Sequence, residues 1–314
     1  MARYTSYYNS SVCWGLFDSS LAKATVAIES IEITLLLLII FSWLVSQRRT
    51  PPPFEVVKWY NFGLSLLFWI TYKAFIFIVF FLQGCDVVDN VADSWRLGIV
   101  SQILYWISMA FLLATILLPV CRGLARLRSS TAHGWSRAGD IMMVIFTIFM
   151  IVYLGLMIWA YQSVIDSYNS YYTIRYGNQF PQYIYVYMAL TTFWFLLIIA
   201  GIGKMLQSMS GSSSRIPQSL KAWVFILAFS LFAYGFLRTF FAYWSTFGAS
   251  SRYYGGTYYA EAITNQVLTT LFSLIALFAI TRVAKDLSTV FAHPNLYIVS
   301  DEEQANGEYR GVVR

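Results

Sequence analysis

Histidine and charged residues are both scarce in this sequence. His133 and His293 are its only histidines, whereas zinc hydrolases, di-iron hydroxylases and bis-histidine haem carriers depend on several imidazole ligands in one place. Charged residues make up 11% of the chain, compared with roughly 25% in an ordinary soluble domain. We therefore expect a membrane protein that is not an enzyme and that holds no metal and no cofactor.

Long apolar runs are abundant, since 58% of the residues are hydrophobic. A helix that crosses a bilayer needs about 20 consecutive residues with few charges. The sequence predicts an all-α polytopic membrane protein, a bundle of seven transmembrane helices at 25–46, 58–83, 97–121, 141–163, 183–206, 222–245 and 263–283.

The distribution of Lys and Arg predicts how the bundle is oriented, because cytoplasmic loops accumulate these residues. With the N-terminus outside, the inner segments hold most of the cations outside the spans. They include Arg48, Arg49, Arg122, Arg126, Arg128, Arg137, Arg215, Lys221, Arg282 and Lys285. We expect the N-terminus outside and the C-terminus inside. The net charge of +6 then fits inner loops that face anionic membrane lipids, and no nucleic acid is needed as a partner.

Three regions follow from this topology. Residues 1–24 are an extracellular tail, residues 25–283 are the transmembrane domain, and residues 284–314 are cytoplasmic. Apolar residues recur at helical spacing near the start of the last region, beside two cations. This pattern predicts a short amphipathic helix on the inner membrane surface, followed by a disordered tail. We expect an integral protein of the plasma membrane.

The second predicted span carries a formal charge near its middle, Lys73. A lone ammonium in hydrocarbon is costly, so it needs a polar partner or water. At a rise of 1.5 Å per residue, Lys73 lies about 14 Å and Glu32 about 9 Å below the outer edge. A lysine stem spans that difference, which predicts an ion pair between Glu32 and Lys73 across the first two spans.

Other polar side chains fall at similar depth in the outer half of the bundle. Arg238 lies about 10 Å below the outer edge in the sixth span, and an arginine there also needs an acid or water. The residues that we predict to bind a ligand are Glu29, Glu32, Lys73, Gln102, Tyr105, Tyr234, Arg238, Glu261 and Asn265.

Several candidate modification sites fall outside the membrane. Asn9 is in an Asn-x-Ser tripeptide of the tail, which makes it a glycosylation acceptor. Cys13 and Cys85 share the oxidising outer face, where a disulfide between them is one alternative and two free thiols the other. Candidate phosphorylation sites lie in the inner serine-rich segment and in the C-terminal tail, at Ser212, Ser213 and Ser300.

Two further positions carry expectations that depend on packing. Cys121 ends the third span, where it is either a free thiol or a palmitoylation site near the membrane surface. Gly155 interrupts the strongly apolar fourth span, and a small residue there predicts close approach of a neighbouring helix.

The seven-span topology resembles that of G-protein-coupled receptors, although span seven ends in Thr281-Arg282-Val283 rather than Asn-Pro-x-x-Tyr. Leu237-Arg238 in span six, the tyrosine-rich loop and Glu261 at the start of span seven are more similar to fungal seven-span membrane proteins of the Pth11-like and RTA1-like kinds. That resemblance implies either receptor-like sensing or lipid-related export.

Three interpretations are compatible with these features. The first is a receptor-like protein that senses a small, partly apolar extracellular ligand in an outer-half pocket and acts on a cytoplasmic signalling partner. The second is a lipid or drug transporter, which would need polar residues in the inner half as well. In the third alternative, the charged groups are ion pairs that only fix helix packing.

Overall fold

A computed structural model describes residues 20–47, 59–84, 91–115, 119–128, 133–169, 180–210, 216–247 and 257–292. These residues form eight α-helices. They are α1 (Ser20–Gln47), α2 (Trp59–Gly84), α3 (Val91–Thr115), α4 (Cys121–Arg128), α5 (His133–Asn169), α6 (Phe180–Ser210), α7 (Gln218–Phe247) and α8 (Thr257–Ala292). All of them except α4 contain a stretch that is long and apolar enough to cross a membrane. The prediction of an all-α seven-span membrane protein is confirmed.

The seven spanning helices form a closed ring. Each packs against the next in the order α1, α2, α3, α5, α6, α7, α8, and α8 packs back against α1. The helices alternate in direction, so the bundle has two ends. The Ser20 end holds the starts of α1, α3, α6 and α8, and the Gln47 end holds their C-terminal parts. The charge distribution predicts that the Ser20 end is outside.

Small polar residues let neighbouring helices of the ring approach closely. The Ser65 hydroxyl of α2 donates to the Ser108 carbonyl of α3 at 3.2 Å, and the Ser108 hydroxyl donates back to the Ser65 carbonyl at 3.1 Å. Both side chains are buried. Because lipid supplies no hydrophobic drive for helices to associate, such reciprocal bonds and close contacts stabilise the pairing of α2 and α3.

Gly235 in α7 packs closely against a neighbouring helix, whereas Gly155 does not. A Cβ atom on Gly235 would lie 2.6 Å from Cδ2 of Phe195 in α6, whereas a Cβ atom on Gly155 would have nothing within 4 Å. Gly155 lies on an exposed face of α5. The prediction for Gly155 is wrong because the residues around it do not show which face of the helix meets a neighbour.

A π-type turn precedes α4. Helix α3 is described to Thr115, the π-type turn contains Pro119, and α4 begins at Cys121. Proline lacks the backbone N–H that a continuing helix needs. The following helix α4 packs against α6, so part of the segment predicted as an inner loop is helical.

The thiol of Cys121 is completely buried where α4 packs against α6. It lies 3.6 Å from the Gly201 carbonyl of α6, and burial raises the pKa of the thiol to about 12. Both the burial and the absence of thiolate near neutral pH disfavour palmitoylation, which requires an accessible, ionisable thiol. Of the two alternatives for Cys121, the structure favours the free thiol.

The helix that contains the seventh span is longer than predicted. Helix α8 continues without a break through Ala292, so the apolar residues after position 283 belong to this helix rather than to a separate one. Val283, Leu287 and Val290 are buried. Their amphipathic spacing arises because one face of α8 continues to pack within the bundle. Residues 293–314 lie outside the described residues.

Candidate functional site

The predicted ion pair between Glu32 and Lys73 is confirmed, and Glu29 joins it. The Lys73 ammonium lies 2.7 Å from Glu32 Oε2 and 3.4 Å from Glu29 Oε2. Glu29, Glu32 and Lys73 are 5%, 1% and 8% exposed. We call these three residues the charged cluster. It links α1 to α2 near the Ser20 end of the bundle.

Neighbouring side chains complete the coordination of both carboxylates. Gln266 donates from Nε2 to Glu29 Oε1 at 2.7 Å, and Thr270 donates from its hydroxyl to Glu32 Oε2 at 2.6 Å. Trp69 donates from its indole N–H to Glu32 Oε1 at 3.4 Å. Each of the four carboxylate oxygens therefore has a polar partner. Because Gln266 and Thr270 belong to α8, the cluster also joins α8 to the first two helices.

Helical spacing explains how each helix contributes two side chains to this cluster. Residues three or four apart lie on one face of a helix, as do Glu29 and Glu32 on α1, and Trp69 and Lys73 on α2. Gln266 and Thr270 share a face of α8 in the same way. The sequence prediction missed Trp69, Gln266 and Thr270, and this spacing was the available signal for them.

Asn265, which was predicted in their place, makes no hydrogen bond with the charged cluster in the part of the chain that the structure describes. A helix turns by about 100° per residue, so the side chain of Asn265 leaves the helix in a different direction from that of Gln266. Its Oδ1 atom is buried and has no hydrogen-bond partner among the described residues.

The second membrane-embedded cation, Arg238, lies among aromatic side chains. Its guanidinium carbon is 4.8 Å from the centroid of the Tyr105 ring on α3, a cation–π distance. Tyr234, Tyr72 and Tyr187 are near enough to act electrostatically on the guanidinium. We call Arg238 and these four tyrosines the arginine–tyrosine cluster. It brings together α2, α3, α6 and α7.

Arg238 is not paired with an acid in the described part of the chain. No carboxylate there lies within 4 Å of its guanidinium, and its Nε atom is buried without a hydrogen-bond partner. The side chain as a whole remains partly accessible. The guanidinium is always ionised, so this cluster holds a positive charge that only neutral groups contact.

Aromatic rings connect the two clusters. The ring of Trp69, whose indole N–H binds Glu32, lies 6.0 Å from the ring of Tyr234. The Tyr72 and Tyr105 rings are 5.2 Å apart, and the Lys73 ammonium is 5.7 Å from the centroid of the Tyr72 ring. The two clusters are thus adjacent parts of one polar centre within the ring of helices.

The remaining predicted residues are placed as follows. Tyr105 and Tyr234 are buried in the arginine–tyrosine cluster, as described above. Gln102 is partly buried on α3 and makes no hydrogen bond with either cluster among the described residues. Glu261 belongs to α8, but its side chain lies outside what the structure describes. So do the candidate modification sites Asn9, Cys13, Cys85, Ser212, Ser213 and Ser300.

Comparisons with known proteins give no match at any level. No protein-family model matches the chain, no curated protein is detectably similar to it, and no solved structure matches its fold. The chain is therefore characterised by its own structure. It is an integral membrane protein with seven spanning helices, and Lys73 and Arg238 lie in adjacent clusters within them.

Proposed function

We propose that this protein is a receptor-like membrane protein that senses a small, partly apolar ligand from the Ser20 end of the bundle. The observation that supports this proposal is the different state of the two embedded cations. Lys73 is neutralised by two carboxylates, whereas Arg238 contacts tyrosines and keeps an unpartnered Nε atom. Arg238 is the group with interaction capacity left for a ligand.

A ligand at Arg238 is well placed to influence the whole bundle. The arginine–tyrosine cluster joins α2, α3, α6 and α7, and Trp69 connects it to the charged cluster on α1 and α8. A shift of α7 on binding would therefore change contacts in several helices at once. Receptors act through such differences in affinity between two packed states, and a cytoplasmic partner at the Gln47 end would detect the change.

The charged cluster has a different role in this proposal. Lys73 contacts both Glu29 and Glu32, and all three side chains are almost fully buried, which is the arrangement expected of ion pairs that fix helix packing. We assign the charged cluster to holding α1, α2 and α8 together. Ligand recognition is assigned to the arginine–tyrosine cluster, so Glu29, Glu32 and Lys73 would affect binding through the positions of the helices.

Transport is less well supported than sensing. A transporter needs polar groups along a path that reaches both faces in turn. In the described part of the chain, the buried hydroxyl groups toward the Gln47 end, such as those of Thr115, Ser208 and Ser288, donate to carbonyls of their own helices. These hydroxyl groups are therefore satisfied within their own helices. Flux of a labelled lipid or drug in vesicles, abolished by Arg238→Gln, would favour transport instead.

The proposed function can be tested by measuring a distance at the Gln47 end while a ligand is offered. Spin labels would be placed at Leu206 on α6 and Lys285 on α8, two exposed positions. The background would carry Cys13→Ser, Cys85→Ser and Cys121→Ala. The probes are 4-phenylbutyrate, 4-phenylbutanol and 4-phenylbutylamine, which share a small apolar body and differ in charge.

We expect at least one of these probes to change the distance between the labels in wild type and to leave it unchanged in Arg238→Gln. Arg122→Gln is the matched control, because Arg122 pairs with Asp140 far from the polar centre. It should respond as wild type does. A probe that binds with no change in this distance would contradict a receptor-like function.

A further inference from the structure

We propose that the ligand of the arginine–tyrosine cluster is a monoanionic carboxylate that carries an apolar body. This inference rests on the proposed function and gives the chemical class of the ligand. The observation that supports this inference is the difference between two neighbouring cations. Arg238 is ionised and lies among tyrosines, whereas Lys73 is already paired with two acids. Of these two cations, Arg238 is therefore the one that can pair with an anion.

The local charges favour an anion at Arg238 and disfavour one at Lys73. An anion that approached Lys73 would meet Glu29 and Glu32, both of which contact the ammonium. Around Arg238, the described neighbours are the hydroxyl-bearing rings of Tyr105 and Tyr234. Burying an unpaired charge in an apolar bundle is unfavourable, so a counter-anion stabilises the guanidinium.

The donors at this position suit a carboxylate. A guanidinium presents a planar fork of N–H groups that matches the two oxygens of a carboxylate, and such bidentate pairs are strong and directional. The unpartnered Nε atom of Arg238 is one free donor.

The position of Arg238 within the bundle requires the rest of the ligand to be apolar. It lies about 14 Å along α7 from the C-terminal end of that helix. The surrounding side chains are largely aromatic, with Trp69 and Trp194 beside Tyr234, so the environment of the guanidinium is apolar. A small hydrated ion such as inorganic phosphate would lose its water at this depth without gaining apolar contacts.

The test measures binding with the same three probes in wild-type protein held in phosphatidylcholine nanodiscs. Binding is read from the shift in thermal unfolding temperature as each probe is titrated. We expect 4-phenylbutyrate to stabilise the protein saturably, and the alcohol and the amine to have at least about tenfold weaker affinity, since charge-assisted hydrogen bonds favour the acid. Equal or tighter binding of the amine would overturn the assignment, and this comparison needs no variant.

Variants then locate the site. Arg238→Gln should abolish the stabilisation by 4-phenylbutyrate, and Arg238→Lys should weaken it by about tenfold because the planar fork is lost. Arg122→Gln is the control for removing an arginine elsewhere and should bind as wild type does. Retained binding in Arg238→Gln, or equal loss in Arg122→Gln, would contradict a site at Arg238.

A lipid phosphate is the competing source of a monoanionic group. Nanodiscs that contain phosphatidic acid should leave the affinity for 4-phenylbutyrate unchanged if the site takes a soluble carboxylate. Loss of binding in those nanodiscs would assign the site to a lipid headgroup and overturn the proposal.

The inference and the proposed function fail in different ways. If 4-phenylbutyrate binds with this pattern but leaves the distance between labels at Leu206 and Lys285 unchanged, the ligand class stands and the receptor-like function fails. If 4-phenylbutanol changes that distance and 4-phenylbutyrate does not bind, the function stands and the ligand class is wrong.

Discussion

Lys73 and Arg238 lie at similar depth in the same bundle, yet the protein stabilises their charges in different ways. Lys73 has two carboxylates within 3.4 Å, and hydrogen-bond donors from α2 and α8 satisfy those carboxylates in turn. Arg238 has the π-face of Tyr105, with Tyr234 nearby. In the first arrangement each charged group has a partner within the protein, and these contacts hold helices together. The second leaves a positive charge open to a further partner.

The difference shows that an intramembrane charge is not by itself evidence of a functional site. Both cations are expensive in lipid, and the sequence alone treats them alike. Their partners distinguish them, because a group whose interactions are all made within the protein gains little from a ligand. The following predictions test this division, beginning with the largest expected effect.

Replacing Lys73 should destabilise the protein far more than replacing Arg238. Lys73→Met leaves Glu29 and Glu32 buried without their cation, and breaking a buried ion pair costs about 3–5 kcal/mol. We expect Arg238→Gln to cost less than about 1 kcal/mol, since it removes a charge with no acidic partner among the described residues. Thermal unfolding in detergent measures both effects.

A compensated variant provides the control for this comparison. Lys73→Met combined with Glu29→Gln and Glu32→Gln removes all three formal charges, so it should recover much of the stability lost in Lys73→Met alone. If the triple variant is no more stable than Lys73→Met, the loss of stability comes from the packing of the lysine stem. The ion pairs of the charged cluster would then not be what holds the helices together.

The two glutamates of the charged cluster should differ in importance. Glu32 makes the shorter contact with Lys73 and also accepts from Thr270 and Trp69. Glu32→Gln should therefore cost about 1.5–3 kcal/mol, the range for hydrogen bonds to charged groups. Glu29→Gln should cost less than about 1 kcal/mol, because the pair between Glu32 and Lys73 remains. Unfolding temperatures in the reverse order would contradict this assignment of roles.

Close packing at Gly235 should support the arginine–tyrosine cluster. Gly235→Ala places a methyl group against Phe195, and overpacking of this kind costs about 1–3 kcal/mol. Because Gly235 lies beside Tyr234, this change should also weaken binding of 4-phenylbutyrate.

Gly155→Ala is the matched control on another helix. Nothing lies within 4 Å of a Cβ atom at Gly155, so the change should be neutral or stabilise the helix by up to about 1 kcal/mol. Equal effects of the two substitutions on unfolding and on binding would show that the approach of α6 and α7 does not position Arg238.

An exposed ion pair provides the smallest expected effect. Arg122 contacts both Asp140 oxygens, at 2.8 and 2.9 Å, but the two side chains are 31% and 54% exposed. Exposed pairs contribute only about 0.2–1 kcal/mol, so Asp140→Asn should lower the unfolding temperature slightly. A loss as large as that of Lys73→Met would mean that burial is not what makes the charged cluster stabilising.

Sequence reasoning succeeded where depth along one helix was enough. Glu32 and Lys73 could be paired from the rise per residue and the reach of a lysine stem, with no knowledge of neighbouring helices. It failed where rotation about a helix axis mattered. Asn265 and Gln266 are adjacent in sequence, and only the packing of α8 against α1 determines that Gln266 faces Glu29.

The same reason accounts for the other misses. Gly155 and Gly235 both interrupt apolar spans, and nothing in either sequence context tells which one faces a neighbour. The donors Trp69 and Thr270 look like an ordinary aromatic and an ordinary hydroxyl within apolar runs. Their role depends on Glu32, which belongs to another helix.

The sequence by itself determined that the chain forms seven membrane-spanning helices, because the free energy of moving a segment from water into lipid depends on that segment alone. Tertiary structure decided that α8 closes the ring on α1, that Lys73 receives both carboxylates and that Arg238 receives tyrosines. Partner choice inside a bundle depends on helix rotation and on which faces meet, and these are properties of several helices together.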